Sequence, residues 1–344
     1  MTYRRFVLFI ALSALLVACN VQWPPHLTPL PPMVPIFEIN RQLGHGINLG
    51  DALDAPNEGD WRLTLKEEFF PMIAQAGFDS IRVPIRWTTH AGDNPPYAIN
   101  ETFFQRIDWI IENAKANGLM VVINHHHYEQ VMRDPDGQHD KFVSMWQQIA
   151  TRYSDQPDRL IFELLNEASG ELSAPKWNNL VAELIAVIRE TNPTRAIIVG
   201  PIEYNKLEAL PLLKLPDDPN LIVTFHYYEP FSFTAQGADW WDGADAWLGN
   251  TWEGSAVQKQ VVEHDFAHVA TWAKVNNRPI YLGEFGAISN ADIESRIRWT
   301  SVVTKNARKN GFSLAYWEFA SDYGLYDMAS EQWNQGLLMA VLGG

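Results

Sequence analysis

Residues 160–166 read LIFELLN, a short and nearly continuous apolar run of the kind that forms a strand buried on both faces of a parallel sheet. An amphipathic stretch follows this run. Its apolar residues keep helical spacing from Trp177 to Ile188, after Ser173, a residue type favoured at helix N-caps, and the pattern stops before Asn192-Pro193. The stretch therefore predicts a strand followed by a helix.

Runs of the same kind recur along the chain. They are GINLG at 46–50, SIRVPI at 80–85, LMVVIN at 119–124, LIFELLN at 160–166, AIIVG at 196–200, LIVTFHYY at 221–228, PIYLGEF at 279–285 and FSLAYWEF at 312–319. Another helical pattern lies between Phe103 and Ala114. Eight strand–helix units in about 310 residues predict a (β/α)₈ barrel. The alternative is a doubly wound open sheet, but no glycine-rich phosphate loop follows an early strand.

The composition is that of an ordinary globular protein with an excess of acidic residues. Of 344 residues, 47% are hydrophobic and 19% charged, and the formal net charge is −15. A charge of that sign repels phosphate backbones, so nucleic acid is not an expected partner. The 14 tryptophans suit either stacking against sugar rings or an aromatic-rich core.

The first 18 residues have the pattern of an export signal. Arg4 and Arg5 precede the apolar segment Phe6–Val17, which is short for a bilayer span, and Cys19 follows. The ending Leu16-Val17-Ala18-Cys19 resembles the lipobox of bacterial lipoproteins. That resemblance implies that Cys19 carries a lipid anchor. The alternative is an ordinary secretory signal in which the cysteine occurs by chance. Cys19 is the only cysteine of the chain, however, so a disulfide within the chain does not explain it.

Residues 19–35 are predicted to be a proline-rich tether. VQWPPHLTPLPPMVP at 21–35 contains six prolines and little charge, which favours an extended spacer. Residues 36–344 are then predicted to form a single domain, which is expected to be monomeric. Because Asn20 rather than aspartate follows the cysteine, the expected location is the outer membrane or the cell surface.

The polar residues at the ends of the apolar runs are the candidate functional groups, because barrel enzymes carry their sites at the C-terminal ends of the strands. They are Asn48, Asp51, Arg82, His125, His126, His127, Tyr128, Asn166, Glu167, His226, Tyr228, Glu284, Trp317 and Glu318. Glycosidic cleavage needs two carboxylates, one protonated and one ionised. Glu167 and Glu284 are the predicted pair. Either glutamate taken alone is better explained by an ion pair with a neighbouring Arg or Lys. The two glutamates together with the surrounding polar ring favour catalysis.

Two segments give the chain a family resemblance. FELLNEA at 162–168 and IYLGEFGA at 280–287 resemble the fourth- and seventh-strand signatures of glycoside hydrolase family 5. IRVPIRW at 81–87, INHHHYE at 123–129, HYYEPF at 226–231 and AYWEF at 315–319 follow in the order of that family. The resemblance covers essentially all of the chain after the tether.

The resemblance implies a retaining endo-β-1,4-glucanase that binds β-linked polysaccharide and needs no cofactor. Glucomannan or xyloglucan are further expected substrates. The alternatives are an endo-β-1,4-mannanase of the same family and a non-catalytic carbohydrate-binding surface lipoprotein.

The resemblance also implies a role for each matching residue. Glu167 would be the acid/base and Glu284 the nucleophile. The supporting residues would be Asn166 on the sugar 2-hydroxyl, Arg82 and Tyr228 as donors that keep Glu284 ionised, and His226 beside the acid/base. The substrate contacts would be His126, His127 and Trp317.

The three adjacent histidines also suggest a metal site. Strand alternation would put His125 and His127 on one face, but no carboxylate follows at metal-ligand spacing. No metal is therefore expected, and the family pattern places His126 and His127 in the cleft.

The remaining acidic and aromatic candidates are assigned by position. Glu163 is expected inside the barrel or paired with a base, and Glu318 and Glu129 in exposed loops. Trp240, in the loop after the sixth run, is predicted to stack on sugar. The first loop reads GINLGDALD, with Asp51 and Asp54 where close relatives usually have Asn and Glu. Both aspartates are expected to contact sugar. Because they replace Asn and Glu, the preference between glucan and mannan stays open.

Overall fold

The computed structural model describes residues 35–343, and at its centre eight parallel strands form a closed barrel. The strands are β1 (His45–Asn48), β2 (Ser80–Val83), β3 (Met120–Asn124), β4 (Leu160–Glu163), β5 (Ile197–Val199), β6 (Leu221–Tyr227), β7 (Ile280–Phe285) and β8 (Ser313–Tyr316). Each strand pairs with the next in the chain, and β8 closes onto β1. The predicted (β/α)₈ barrel is confirmed.

Helices connect the strands around the outside of the barrel. They are α1 (Ile36–Leu43), α2 (Phe69–Ala76), α3 (Glu101–Ala116), α4 (Glu129–Arg133), α5 (Pro135–Arg152), α6 (Ala174–Arg189), α7 (Ile202–Asn205), α8 (Phe231–Thr234), α9 (Ala256–Asn276), α10 (Ile293–Lys309) and α11 (Gln335–Leu342). A short hairpin of β9 (Tyr326–Asp327) and β10 (Gln332–Trp333) follows β8.

Most apolar runs extend beyond the strands that they predict. β4 ends at Glu163, for example, although its run continues to Asn166. Leu164 and Leu165 are still buried after the strand ends. Apolar content thus marks burial at the barrel mouth as well as strand geometry.

Alternate strand residues divide the core into an outer and an inner layer. Val121 and Ile123 of β3 pack outwards against the helices, whereas Met120 and Val122 belong to the inner cluster. Helix α1 closes the end where the strands begin, because its Asn40 donates to Ile280 O and accepts from Ser313 Oγ. The opposite end, where the strands finish, is left for the site.

The predicted signal, Cys19 and the tether up to residue 34 lie outside the described residues. Within residues 35–343, no helix combines the length and apolarity needed to cross a membrane.

Candidate active site

Glu284, in β7, lies at the centre of the barrel mouth with donors on both carboxylate oxygens. Arg82 Nη1 donates to Oε1 at 2.7 Å, and Tyr228 OH donates to Oε2 at 3.0 Å. Glu284 is 5% exposed. Because both contacts favour the charged carboxylate, this arrangement suits a nucleophile.

Arg82 is the buried hub of the site. It binds Glu163 with Nε and Nη2, at 2.7 and 2.8 Å, and donates to Asn48 and Asn166 at 2.8 Å each. Burial alone would lower the pKa of Arg82, but the carboxylates of Glu163 and Glu284 raise it well above its usual value. Glu163 thus both sits inside the barrel and pairs with a base, the two options that the sequence offered.

Glu167 lies just beyond β4 and faces Glu284 across His226. Nδ1 of His226 is 2.8 Å from Glu167 Oε1 and 3.5 Å from Glu284 Oε2. The candidate ligand atoms of these three side chains all lie within 4.8 Å of one another. Retaining glycosidases hold their carboxyl groups about 5 to 5.5 Å apart and inverting ones about 6.5 to 9.5 Å apart. The spacing therefore matches a retaining pair.

The two glutamates differ in their surroundings. The side chain of Glu284 is 6% exposed and that of Glu167 is 30% exposed. Among the described residues, Glu167 is bonded through its carboxylate to His226. A carboxyl group with few stabilising donors can hold a proton, which suits Glu167 for the acid role.

Sequence reasoning missed Asn205, which contacts His226 from the other side. The Asn205 amide Nδ2 lies 3.2 Å from His226 Nε2, and Asn205 is fully buried. Asn205 ends α7, in the connection that follows the β5 run. A census of polar residues after that run could have found it.

The three histidines after β3 separate into one core residue and one pair. His125 is fully buried among rings that include Trp146 and Phe142, and burial lowers its pKa to about 3. His126 and His127 have ring centroids 4.6 Å apart. The proposed shared face of His125 and His127 is wrong, because β3 ends at Asn124 and strand alternation does not continue through the histidines.

Asp54 supplies the carboxylate that the sequence did not show next to the histidines. Its Oδ2 lies 4.0 Å from His127 Nε2, and Asp54, His126 and His127 could group around an ion. However, the side-chain oxygen of Asn124 accepts from the backbone N–H of Ile85, which fixes the orientation of the side chain. Its Nδ2 therefore donates to His126 Nδ1, at 3.2 Å. Neutral His126 then carries its proton on Nε2. That atom suits donation to a hydroxyl better than metal ligation.

Glu318 belongs to a buried acidic group with Asp51 and Asp54. The expectation that Glu318 lies in an exposed loop is wrong, since it is 1% exposed. The chain folds back over β1 after β8, and the missing side chain at Gly50 leaves room for Glu318 and Trp317. Burial and Asp51 raise the pKa of Glu318 well above its usual value.

The same causes act on the two aspartates. Burial and the charge of Asp51 raise the pKa of Asp54 to about 7, and burial raises that of Asp51, which accepts a hydrogen bond from Ser321. Among the described residues, His127 is the one basic side chain paired with this group. The first loop therefore carries two carboxylic acids with raised pKa values, the partly buried Asp51 and the fully buried Asp54.

Two tryptophans were predicted to contact sugar. Trp317 stacks on His126, with centroids 5.7 Å apart and planes 11° from parallel. The two rings therefore lie nearly parallel to each other. Trp240 is 56% exposed and contacts Phe231 and Trp241 of its own loop, so it lies at the rim.

The chain is similar to known proteins in sequence and in structure. The family model described as cellulase (glycosyl hydrolase family 5) matches residues 53–322. Endoglucanase H of Acetivibrio thermocellus is 33% identical over 317 residues, which cover 90% of this chain and 34% of that protein. This chain thus spans about a third of the length of that relative.

Solved structures are more similar. The crystal structure of endoglucanase Cel5A from the hyperthermophile Thermotoga maritima has a TM-score of 0.88 and 49% identity, and the match covers 90% of this chain and 100% of that one. Structures of the same enzyme with cellobiose and with mannotriose each give a TM-score of 0.87 and 49% identity, over 89% of this chain and 99% of theirs.

Proposed function

This chain belongs to glycosyl hydrolase family 5, and from that premise we propose that it is a retaining endo-β-1,4-glucanase. The observation that carries the proposal is the asymmetric pair of glutamates. Glu284 has donors on both oxygens, whereas Glu167 lies within 4.8 Å of it, is more exposed and contacts His226.

The proposed reaction has two steps. In the first, Glu284 attacks the anomeric carbon while Glu167 gives its proton to the departing glycosidic oxygen, which leaves a glycosyl ester on Glu284. In the second, Glu167 takes a proton from water, and the hydroxide oxygen displaces Glu284. Two inversions at one carbon retain the β configuration.

The remaining groups support these steps. Asn166 accepts from Arg82 and lies beside Glu167 at the cleavage point, where it can reach the sugar 2-hydroxyl. Trp317 provides an apolar ring face for a sugar, and His126 and His127 offer ring nitrogens to its hydroxyls. Asp51 and Asp54 line the same side of the mouth.

The proposed substrate is β-1,4-glucan, with glucomannan or xyloglucan as further candidates. Mannan is the second candidate because a similar enzyme has been solved with mannotriose as well as cellobiose. Asp51 and Asp54 are the residues of this chain that we expect to separate the two sugars, because the partly buried Asp51 lies in the first loop and Asp54 lies 4.0 Å from His127.

Activity of the purified protein on carboxymethyl-cellulose and on galactomannan tests the proposal. We expect a rapid fall in viscosity with slow release of reducing ends, because internal bonds are cleaved. Glu284→Gln should bind the same polymers without cleaving them. Binding without cleavage by the unmodified protein would instead support a non-catalytic carbohydrate-binding lipoprotein.

We also propose that Cys19 is lipid-modified and anchors the enzyme at the outer membrane or cell surface. Lipid chains supply most of the binding energy of such an anchor. Cys19→Ser should therefore move the protein from the membrane fraction to the soluble fraction. Unchanged fractionation of this variant would contradict lipidation.

A further inference from the structure

Asn205 ends an unusual backbone segment beside the catalytic acid. Glu203, Tyr204 and Asn205 have φ angles of 61°, 62° and 56°, in the left-handed region that residues other than glycine seldom occupy. Three such residues in succession persist only where the surrounding structure fixes them. The Tyr204 amide donates to Ala168 O at 3.2 Å, which ties the segment to the residue after Glu167.

The segment delivers one polar side chain into the site. The Asn205 side chain is fully buried and lies against Gly200, where any side chain would overlap its amide. Its Nδ2 lies 3.2 Å from His226 Nε2. Its Oδ1 is buried and accepts no hydrogen bond among the described residues. Burying an amide whose oxygen has no hydrogen-bond partner costs free energy of folding. The interaction that this buried side chain provides in return is the contact of its Nδ2 with His226.

The charges around His226 decide which ring nitrogen carries the proton. Nδ1 faces two carboxylates, Glu167 at 2.8 Å and Glu284 at 3.5 Å, so this nitrogen donates. In the neutral ring Nε2 then has no hydrogen and must accept. Asn205 Nδ2 is the donor at that position.

We propose that Asn205 is a positioning residue that fixes the tautomer and the ring orientation of His226, and through them the catalytic acid Glu167. Without the amide donor, the ring can rotate or carry its proton on Nε2, and Nδ1 then no longer donates to Glu167. The inference rests on the proposed function, because it assigns Asn205 to the acid half of that reaction. The proposed role of Asn205 concerns protonation of the leaving group by Glu167. Nucleophilic attack by Glu284 is expected to be unchanged.

The test compares aryl β-cellobiosides that differ only in the acidity of the leaving phenol. A very acidic phenol leaves without protonation and a weakly acidic one needs the acid. General acid catalysis contributes about 10²- to 10⁴-fold, and misplacing the acid should cost Asn205→Ala at least about tenfold in kcat/KM on the weakly acidic phenol. On the very acidic phenol, kcat/KM should be nearly unchanged.

Two further variants separate positioning from a general loss of structure. Gly200→Ala keeps Asn205 but displaces its side chain, and should reproduce the same dependence on the leaving group. Asn192→Ala removes another buried asparagine, whose amide donates to Ala150 O at 2.8 Å away from the glutamates. This control should affect both substrates equally. Melting temperatures measured alongside show how far each variant is destabilised.

Asn205→Asp tests the direction of the hydrogen bond. A carboxylate accepts from Nε2, so His226 becomes doubly protonated and its positive edge faces Glu167. Ionised Glu167 is then favoured, and the alkaline limb of kcat/KM should move to lower pH.

Two results would overturn the inference. One is an equal loss on both aryl substrates for Asn205→Ala, and the other is an unmoved alkaline limb for Asn205→Asp. The proposed function fails separately, if the unmodified protein cleaves neither the aryl substrates nor the polymers.

Discussion

Glu163 holds Arg82 with two hydrogen bonds, from Nε at 2.7 Å and from Nη2 at 2.8 Å, and both side chains are completely buried. This paired contact fixes the guanidinium plane and points Nη1 at Glu284. It also shares the charge of Arg82 between two carboxylates. Glu163 therefore holds in place the guanidinium group that contacts Glu284, the proposed nucleophile.

Glu163→Gln should lower kcat by roughly 10²-fold, because a misplaced Arg82 misplaces Glu284. Breaking a buried ion pair should also cost about 3 kcal/mol in the free energy of unfolding.

Glu163→Asp is the matched control, because it keeps the charge on a shorter side chain. It should lose less of the free energy of unfolding than Glu163→Gln, because the ion pair with Arg82 is kept. An unchanged kcat in Glu163→Gln would contradict the role of Glu163 in placing Arg82.

The sequence was sufficient for the barrel because burial on both faces gives each strand an apolar run. It also located Glu167 and Glu284, since carboxylates at strand ends stand out against those runs. The prediction that Glu318 lies in an exposed loop was wrong, because the return of the chain over β1 depends on Gly50 and on contacts between distant loops. No local pattern encodes such a contact.

The histidines show the same limit. Strand alternation paired His125 with His127, but β3 ends before both, and an aromatic cage takes His125 into the core. A census of polar residues after the β5 run could have named Asn205, but its contact with His226 depends on a left-handed segment of non-glycine residues, which has no sequence signature.

Removing the acid should affect substrates unequally. Glu167→Ala should lower kcat/KM by about 10²- to 10⁴-fold on polysaccharide, where the leaving sugar needs a proton. An aryl cellobioside with a very acidic phenol should lose little in the same constant. Glu284→Ala should abolish turnover of both substrates. Equal losses for Glu167→Ala on the two substrates would remove it from the acid role.

The buried acid Glu318 should make the protein less stable as pH rises. Its pKa is raised in the folded protein, so above about pH 4.5 the unfolded chain releases this proton first. The free energy of unfolding then falls with increasing pH. Glu318→Gln keeps the shape without the charge, and should be more stable than the unmodified protein at pH 8 and nearly equal at pH 4.

Urea unfolding at the two pH values measures this difference. Glu263→Gln, at an exposed position of α9, is the control and should show no such difference. If Glu318→Gln raises the free energy of unfolding by the same amount at pH 4 and pH 8, then Glu318 is not the group that titrates.

The stereochemistry of the first product tests the retaining mechanism most directly. Proton NMR spectra recorded during the first minutes of hydrolysis of a soluble cello-oligosaccharide distinguish the two anomers before they equilibrate. Because one carboxylate oxygen of Glu167 lies within 4.8 Å of one carboxylate oxygen of Glu284, we expect the β-anomer to appear first and the α-anomer to follow by mutarotation. An α-anomer formed first would show that water attacks the sugar directly and would contradict the assignment of Glu284 as the nucleophile.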